Sequence, residues 1–156
     1  MAETCDYVEQ LEETARLVAE AARHDRWQLV FQSRSGPPHI PWLGPDIIEH
    51  LDALQQIGVS EVIAAPIGFL SDHMEVVWDL DNEAKSYARE VDINLTRAPT
   101  VGTHPAFVAM IRELVEERLG RAERREAVGS KGASHDTCAP DCCQYQPRHS
   151  HPPPES

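Results

Sequence analysis

Three carboxylates recur at four-residue intervals in the stretch SDHMEVVWDLDNE, residues 71–83: Glu75, Asp79 and Glu83. On a helix that interval sets side chains one above another, so the stretch predicts an acidic ladder along one face. His73 stands at its mouth. Carboxylate oxygens suit hard cations, imidazole suits borderline ones, and histidine exchanges protons near neutral pH. Such a set could bind a divalent metal, relay protons, or do both. An acidic row is more often only a solvated face, and like charges four apart cost an isolated helix a few tenths of a kcal/mol per pair. Two features favour a site here. The row follows directly on a strand-like run, EVIAAPIGF (residues 61–69), where open α/β sheets take their ligands, and a histidine is placed at the same junction.

The ladder needs a helix that starts near Asp72, with Glu75 three residues on in capping-box spacing, and that buries Val76, Val77 and Leu80. The rest of the chain supplies a frame for it. Residues 7–22 place Val8, Leu11, Ala15, Val18 and Ala22 on one helical stripe. WQLVFQS, residues 27–33, predicts a short strand, and residues 45–57 predict a helix with Pro45 at its start and Gly58 at its end. A strand at 62–66, the acidic helix at 72–90, a strand at 93–97 and a helix at 105–119 follow. The order α-β-α-β-α-β-α predicts an α/β fold: a parallel sheet with helices on both faces. Between the first strand and the second helix lies the turn-rich SRSGPPHIPWLGP, with Arg34, Gly36 and Trp42, a loop placed to meet a ligand. From Gly120 the periodicity stops. Residues 120–156 are rich in Pro, Gly, Ser and His and predict a flexible tail after a single domain over residues 1–119.

The chain has 156 residues, 26 of them acidic against 14 basic, and the whole excess of negative charge lies in residues 1–120. A net charge of −12 sets nucleic acid aside as a partner and favours cations. No apolar run approaches the length of a membrane span, and the N-terminus MAETCDYVEQ is acidic where a signal peptide is basic and then apolar; a cytoplasmic protein with no transmembrane segment is expected. In a reducing compartment the four cysteines, Cys5, Cys138, Cys142 and Cys143, point to metal ligation before disulfides. Their spacing lacks the C-x2-C pairs of zinc modules, and four thiolates assemble only if Cys5 joins the other three. On the residues alone, metal binding by this tail and a plain solvated tail stay open.

Three segments, FQSRSGPPHIPWLGP, APIGFLSDHMEVVWDLDNE and TVGTHPAFVAMIRELVEER, resemble the C-terminal half of the ferrochelatase family, over about residues 7–119. That family carries a QS-x-x-G…PWLGP loop and an SDH-x-E-x-x-x-(D/E)-x-D-x-E helix in this order. The resemblance implies insertion of Fe²⁺, as substrate, into a porphyrin, protoporphyrin IX or coproporphyrin III, in heme biosynthesis. It implies that Glu75 lies in the porphyrin cleft, that Asp79 and Glu83 line the path of metal or protons, and that Trp42, with Arg34 in the same loop, meets the porphyrin; His73, which is not the family's principal catalytic histidine, either orients Glu75 or packs under the helix at the junction. Two similar α/β lobes clasp the porphyrin in that family, and its principal histidine, in an (S/T)AH motif, has no counterpart here. A missing N-terminal lobe or companion chain is therefore expected. Cysteine-rich extensions of some members hold a [2Fe-2S] cluster, which implies Cys138, Cys142, Cys143 and Cys5 as its ligands. Two other readings stand beside this one: a non-catalytic metal carrier and an inactive fragment. Porphyrin binding would separate the chelatase from the carrier.

Overall fold

The computed structural model describes residues 6–34, 39, 42–138 and 140. Helix α1 (Tyr7–Ala22) has its predicted bounds, though it buries Ala19 and leaves Val18 and Ala22 of the predicted stripe exposed, and it closes at Arg23, whose left-handed backbone lets its N–H bond the last carbonyls. Helix α2 (Ile47–Gln56) begins on a full capping box. The Asp46 carboxylate accepts from the Ile48 N–H, and Glu49 reaches back to the Asp46 N–H. Strand β1 (Glu61–Ala64) pairs in parallel with β2 (Asn94–Arg97), Val62 opposite Leu95 and Ile63 opposite Thr96. A continuous helical run crosses between them, and α5 (Pro105–Arg118) follows, with the His104 imidazole capping its first turn.

The crossing run is where the sequence and the structure part most instructively. It is no plain α-helix but three pieces: α3 (Met74–Val76), a π-helical segment (Val77–Ala84) and α4 (Lys85–Glu90). The buried row explains the widening. Val76, Leu80, Ala84 and Ala88 are each at most 4% exposed and recur strictly every four residues. In an α-helix a four-residue step overshoots a full turn by about 40°, so four such residues would drift off the core face. In the wider π turn the same step falls short of a full turn, which offsets the α-helical overshoot, and the row stays packed with Ile47 and Leu51 of α2, Ile93 and Leu95. These residues are the core.

Two expectations about the frame are corrected. Residues 27–33 do not form a strand: Phe31 makes one parallel bridge to Asp46, exchanging bonds with the Pro45 carbonyl and the Ile47 N–H. The segment meets the start of α2, where Pro45 has no N–H to continue a ladder, so pairing ends after one bridge. Nor do helices cover both faces of the sheet. Strand side chains alternate, and while Leu95 is buried, Ile63 beside it on the other face is 76% exposed. Helix α5 buries none of its residues and α1 buries only Ala19, so neither supplies a second layer.

Residues 121–138 form no helix or strand, and their contacts with the helices are exposed hydrogen bonds and ion pairs. The Ser130 N–H and hydroxyl both donate to Glu13 at 2.6 and 3.0 Å, Lys131 pairs with Glu9 at 2.6 Å, and Arg118 pairs with Asp136 at 2.6 Å. Glu13, bonded first by Arg16 and then by the Ser130 N–H, has its pKa held down to about 2. Among the described residues no helix is long and apolar enough to cross a membrane.

Candidate functional site

A cleft of about 350 Å³ opens where the loop after residue 31 approaches the π segment. Gln32, Ser33 and Arg34 form one wall, Trp78, Asp79 and Glu83 the other, and Asp46 with Ile47 and Ile48 at the start of α2 the floor. The acidic row runs one residue before the buried row along the helix, so it flanks the core side and faces outward. Ser33 sits in the left-handed region (φ 59) and its hydroxyl donates to the Asp79 carboxylate. The Trp78 indole N–H donates to Glu83 at 3.1 Å. Those two are five residues apart, the interval that a π turn aligns.

On the other flank Arg97, at the end of β2, forks onto Asp81: Nε to Oδ1 at 2.9 Å and Nη2 to Oδ2 at 2.8 Å. Its Nη1 also reaches Asp72 at 2.9 Å, and Asp72 accepts from the Thr100 N–H. The hydrogen bond to Arg97 lowers the Asp81 pKa against the opposing effect of desolvation, and the same bond raises that of Arg97. Asp72 was the expected helix cap. The cap is instead His73, with no side-chain bond, while Asp72 Oδ1 accepts from the guanidinium and from the Thr100 N–H.

The structure brings together Arg34, Asp79 and Glu83. It leaves Glu75, His73 and Trp42 outside the cleft lining. Glu75 keeps its place in the row, one turn too early for the loop at 32–34 to reach it. The ring of His73 stacks edge-on against Phe69 at 5.0 Å, which fits a junction residue. Trp42 is 43% exposed. Sequence reasoning missed Ser33 and Trp78. Ser33 was legible as the serine of the QS loop motif; Trp78 needed the five-residue interval, which means nothing until the helix is known to widen. Among the described residues no three His, Cys, Asp or Glu side chains converge on a point where a metal ion could sit. Cys138 is exposed and free, and Cys5, Cys142 and Cys143 lie outside the described residues.

The architecture and cleft define an α/β protein with paired carboxylates on a widened helix facing a basic loop. The ferrochelatase family model matches residues 1–119. A ferrochelatase of Rhodopirellula baltica is 50% identical, over 95% of this chain and 42% of its own length. Coproporphyrin III ferrochelatases of Streptomyces coelicolor and Mycobacteroides abscessus are 51% and 50% identical, over 88% and 90% of this chain and 39% and 43% of theirs. The chain belongs to the ferrochelatase family, and it spans about two fifths of the length of these relatives.

These matches correct the expected extent of the resemblance, a C-terminal half closed by a [2Fe-2S]-type tail. They run over 88 to 95% of the chain, past residue 119 and into the tail itself. No metal-ligating group is found among the described residues to support a cluster. Matches that cover about two fifths of each relative do not bear on the expected N-terminal lobe or companion chain, and neither is carried further.

Proposed function

We propose that this chain serves the insertion of Fe²⁺ into a porphyrin, with coproporphyrin III as the first substrate to test, since several of its relatives are coproporphyrin III ferrochelatases. The observation that carries the reading is the pairing of Asp79 and Glu83 on one wall of the cleft with Arg34 on the other. Metallation removes two pyrrole N–H protons as the ion enters, so the ring needs bases at hand and the ion needs oxygen ligands as it sheds water. Asp79 and Glu83 take those two tasks. Their partners Ser33 and Trp78 fix each carboxylate by one bond and leave the other oxygen for chemistry. Glu75 and His73, exposed one turn earlier, pass the ion inward from solvent. Arg34 brings a positive charge to the cleft wall, suited to a macrocycle that carries carboxylate substituents, and Trp42 offers a stacking face. A cleft of 350 Å³ takes one edge of such a ring.

The test is anaerobic metallation by the purified chain, followed as loss of porphyrin fluorescence and change of the Soret band, with coproporphyrin III and protoporphyrin IX compared. Fe²⁺-dependent conversion that Glu83→Gln suppresses is the expected result. Porphyrin binding without metallation in wild type would sink the catalytic reading and leave a binding module. Metal binding without any porphyrin shift would favour the carrier.

A further inference from the structure

A π segment of eight residues needs restraints beyond its own hydrogen bonds, because the wide turn is the rarer choice of a helical backbone. The buried row of Val76, Leu80, Ala84 and Ala88 holds the base of this one. A row of small and aliphatic side chains resists translation away from the core more than rotation about the helix axis, so the roll of the helix has to be fixed at its flanks. On one flank Ser33 holds Asp79. On the other, Asp81 lies two residues from both Asp79 and Glu83, about half a turn around. It is the group that the Arg97 guanidinium grips with two parallel bonds.

The other contacts of Arg97 make that grip stiff. Its side chain is only 14% exposed, its Nη1 donates to both Asp72 and the Ala98 carbonyl, and its backbone is locked into β2 by the pairing with Ala64. A single guanidinium thus ties the end of the strand, the loop before the helix and the middle of the π segment to one another. Like charges at Asp79, Asp81 and Glu83 would otherwise repel across the same two turns. Neutralising the middle one from behind lets the outer two face the cleft.

We infer that Arg97 is a positioning residue: through Asp81 it sets the roll of the π segment, and so aims Asp79 and Glu83 at the cleft. The inference rests on the proposed role of those two carboxylates, but its structural half can be tested alone. Arg97→Gln and Asp81→Asn cut the fork from either end, so one variant serves if the other does not fold. Hydrogen exchange of the full chain is the first readout. Either variant should speed exchange of the amides of residues 77–84 on the order of tenfold, an effect between the loss of an exposed and of a buried ion pair. Amides of β1 and β2 should keep their wild-type protection, and Arg97→Lys, which has the charge without the fork, should not restore the segment. Uniform loss of protection over strands and helix would overturn the inference, since Arg97 would then be a general stabiliser. Unchanged protection of 77–84, or full rescue by Arg97→Lys, would overturn it as well. The second readout is metallation: kcat should fall with KM for porphyrin held. A fall in KM-controlled binding alone would contradict an aiming role. If wild type does not metallate, the proposed reaction fails while the exchange experiment still decides the clamp.

Discussion

The helical run from Met74 to Glu90 and helix α5 are both amphipathic in sequence, and the structure treats them in opposite ways. The first buries four residues against α2 and β2; the second leaves Val108, Ile111, Leu114 and Val115 about half exposed and buries nothing. The difference lies in the partner surface. The row at 76, 80, 84 and 88 meets Ile47, Leu51 and Leu95, whereas α5 has no comparable surface beside it among the described residues. An apolar stripe states what a helix can bury, and only a facing element decides whether it does. The cleft is built on the first kind of helix, which is why its carboxylates are held.

Perturbing each side should widen or close that contrast. Leu51→Ala, at 1% exposure in the middle of the packed region, should lower unfolding free energy by about 3 kcal/mol in a urea titration. A loss under about 1 kcal/mol would mean that the core is looser than described. Glu83→Gln should leave that stability in place and reduce metallation about a hundredfold, the scale of general acid–base loss. If the substitution unfolded the protein instead, Glu83 would belong to the packing and not to the chemistry. A smaller effect concerns acid. Asp81 has its folded pKa lowered by the Arg97 hydrogen bond, so its contribution is fully present above the ordinary carboxylate value of about 3.9 and is lost as pH falls through the lowered one. Thermal melts below pH 4 should therefore fall less steeply in Asp81→Asn than in wild type; parallel curves would remove the linkage. Least of all, Leu114→Ala on α5 should change stability by no more than about 0.5 kcal/mol. A core-sized loss there would show that α5 is packed in solution and would erase the contrast.

Much of this was legible beforehand for physical reasons that can be named. Periodicity located α1, α2, both ends of the acidic run and α5 to within two residues, since each has an apolar stripe and α2 is bracketed by Pro45 and Gly58. The two paired strands were legible as short β-branched and aliphatic runs next to turns. What failed was whatever depended on a neighbour. WQLVFQS has strand-like residues, but only the start of α2 lies alongside it. Asp72 has the sequence of a helix cap, but its Oδ1 accepts from Arg97 and Thr100, residues far along the chain. The π widening was not legible, because the run also offers three-residue steps, Val77 to Leu80 and Ala84 to Tyr87, as an ordinary α-helix does. Asp79 and Glu83 stood out by their four-residue spacing and Arg34 by its turn-rich loop, and all three line the cleft. Ser33 and Trp78 were missed because their role is a bond to another residue.

Ser33 answers two demands at once. Its backbone is left-handed, a conformation that glycine adopts freely and other residues hold at some strain. Its hydroxyl is the partner of Asp79, which glycine cannot replace. A screen for thermal tolerance would therefore favour Ser33→Gly, and a screen for turnover would keep the serine. The position is one where durability and activity are in direct competition, and a designer seeking a hardier protein should gain it elsewhere.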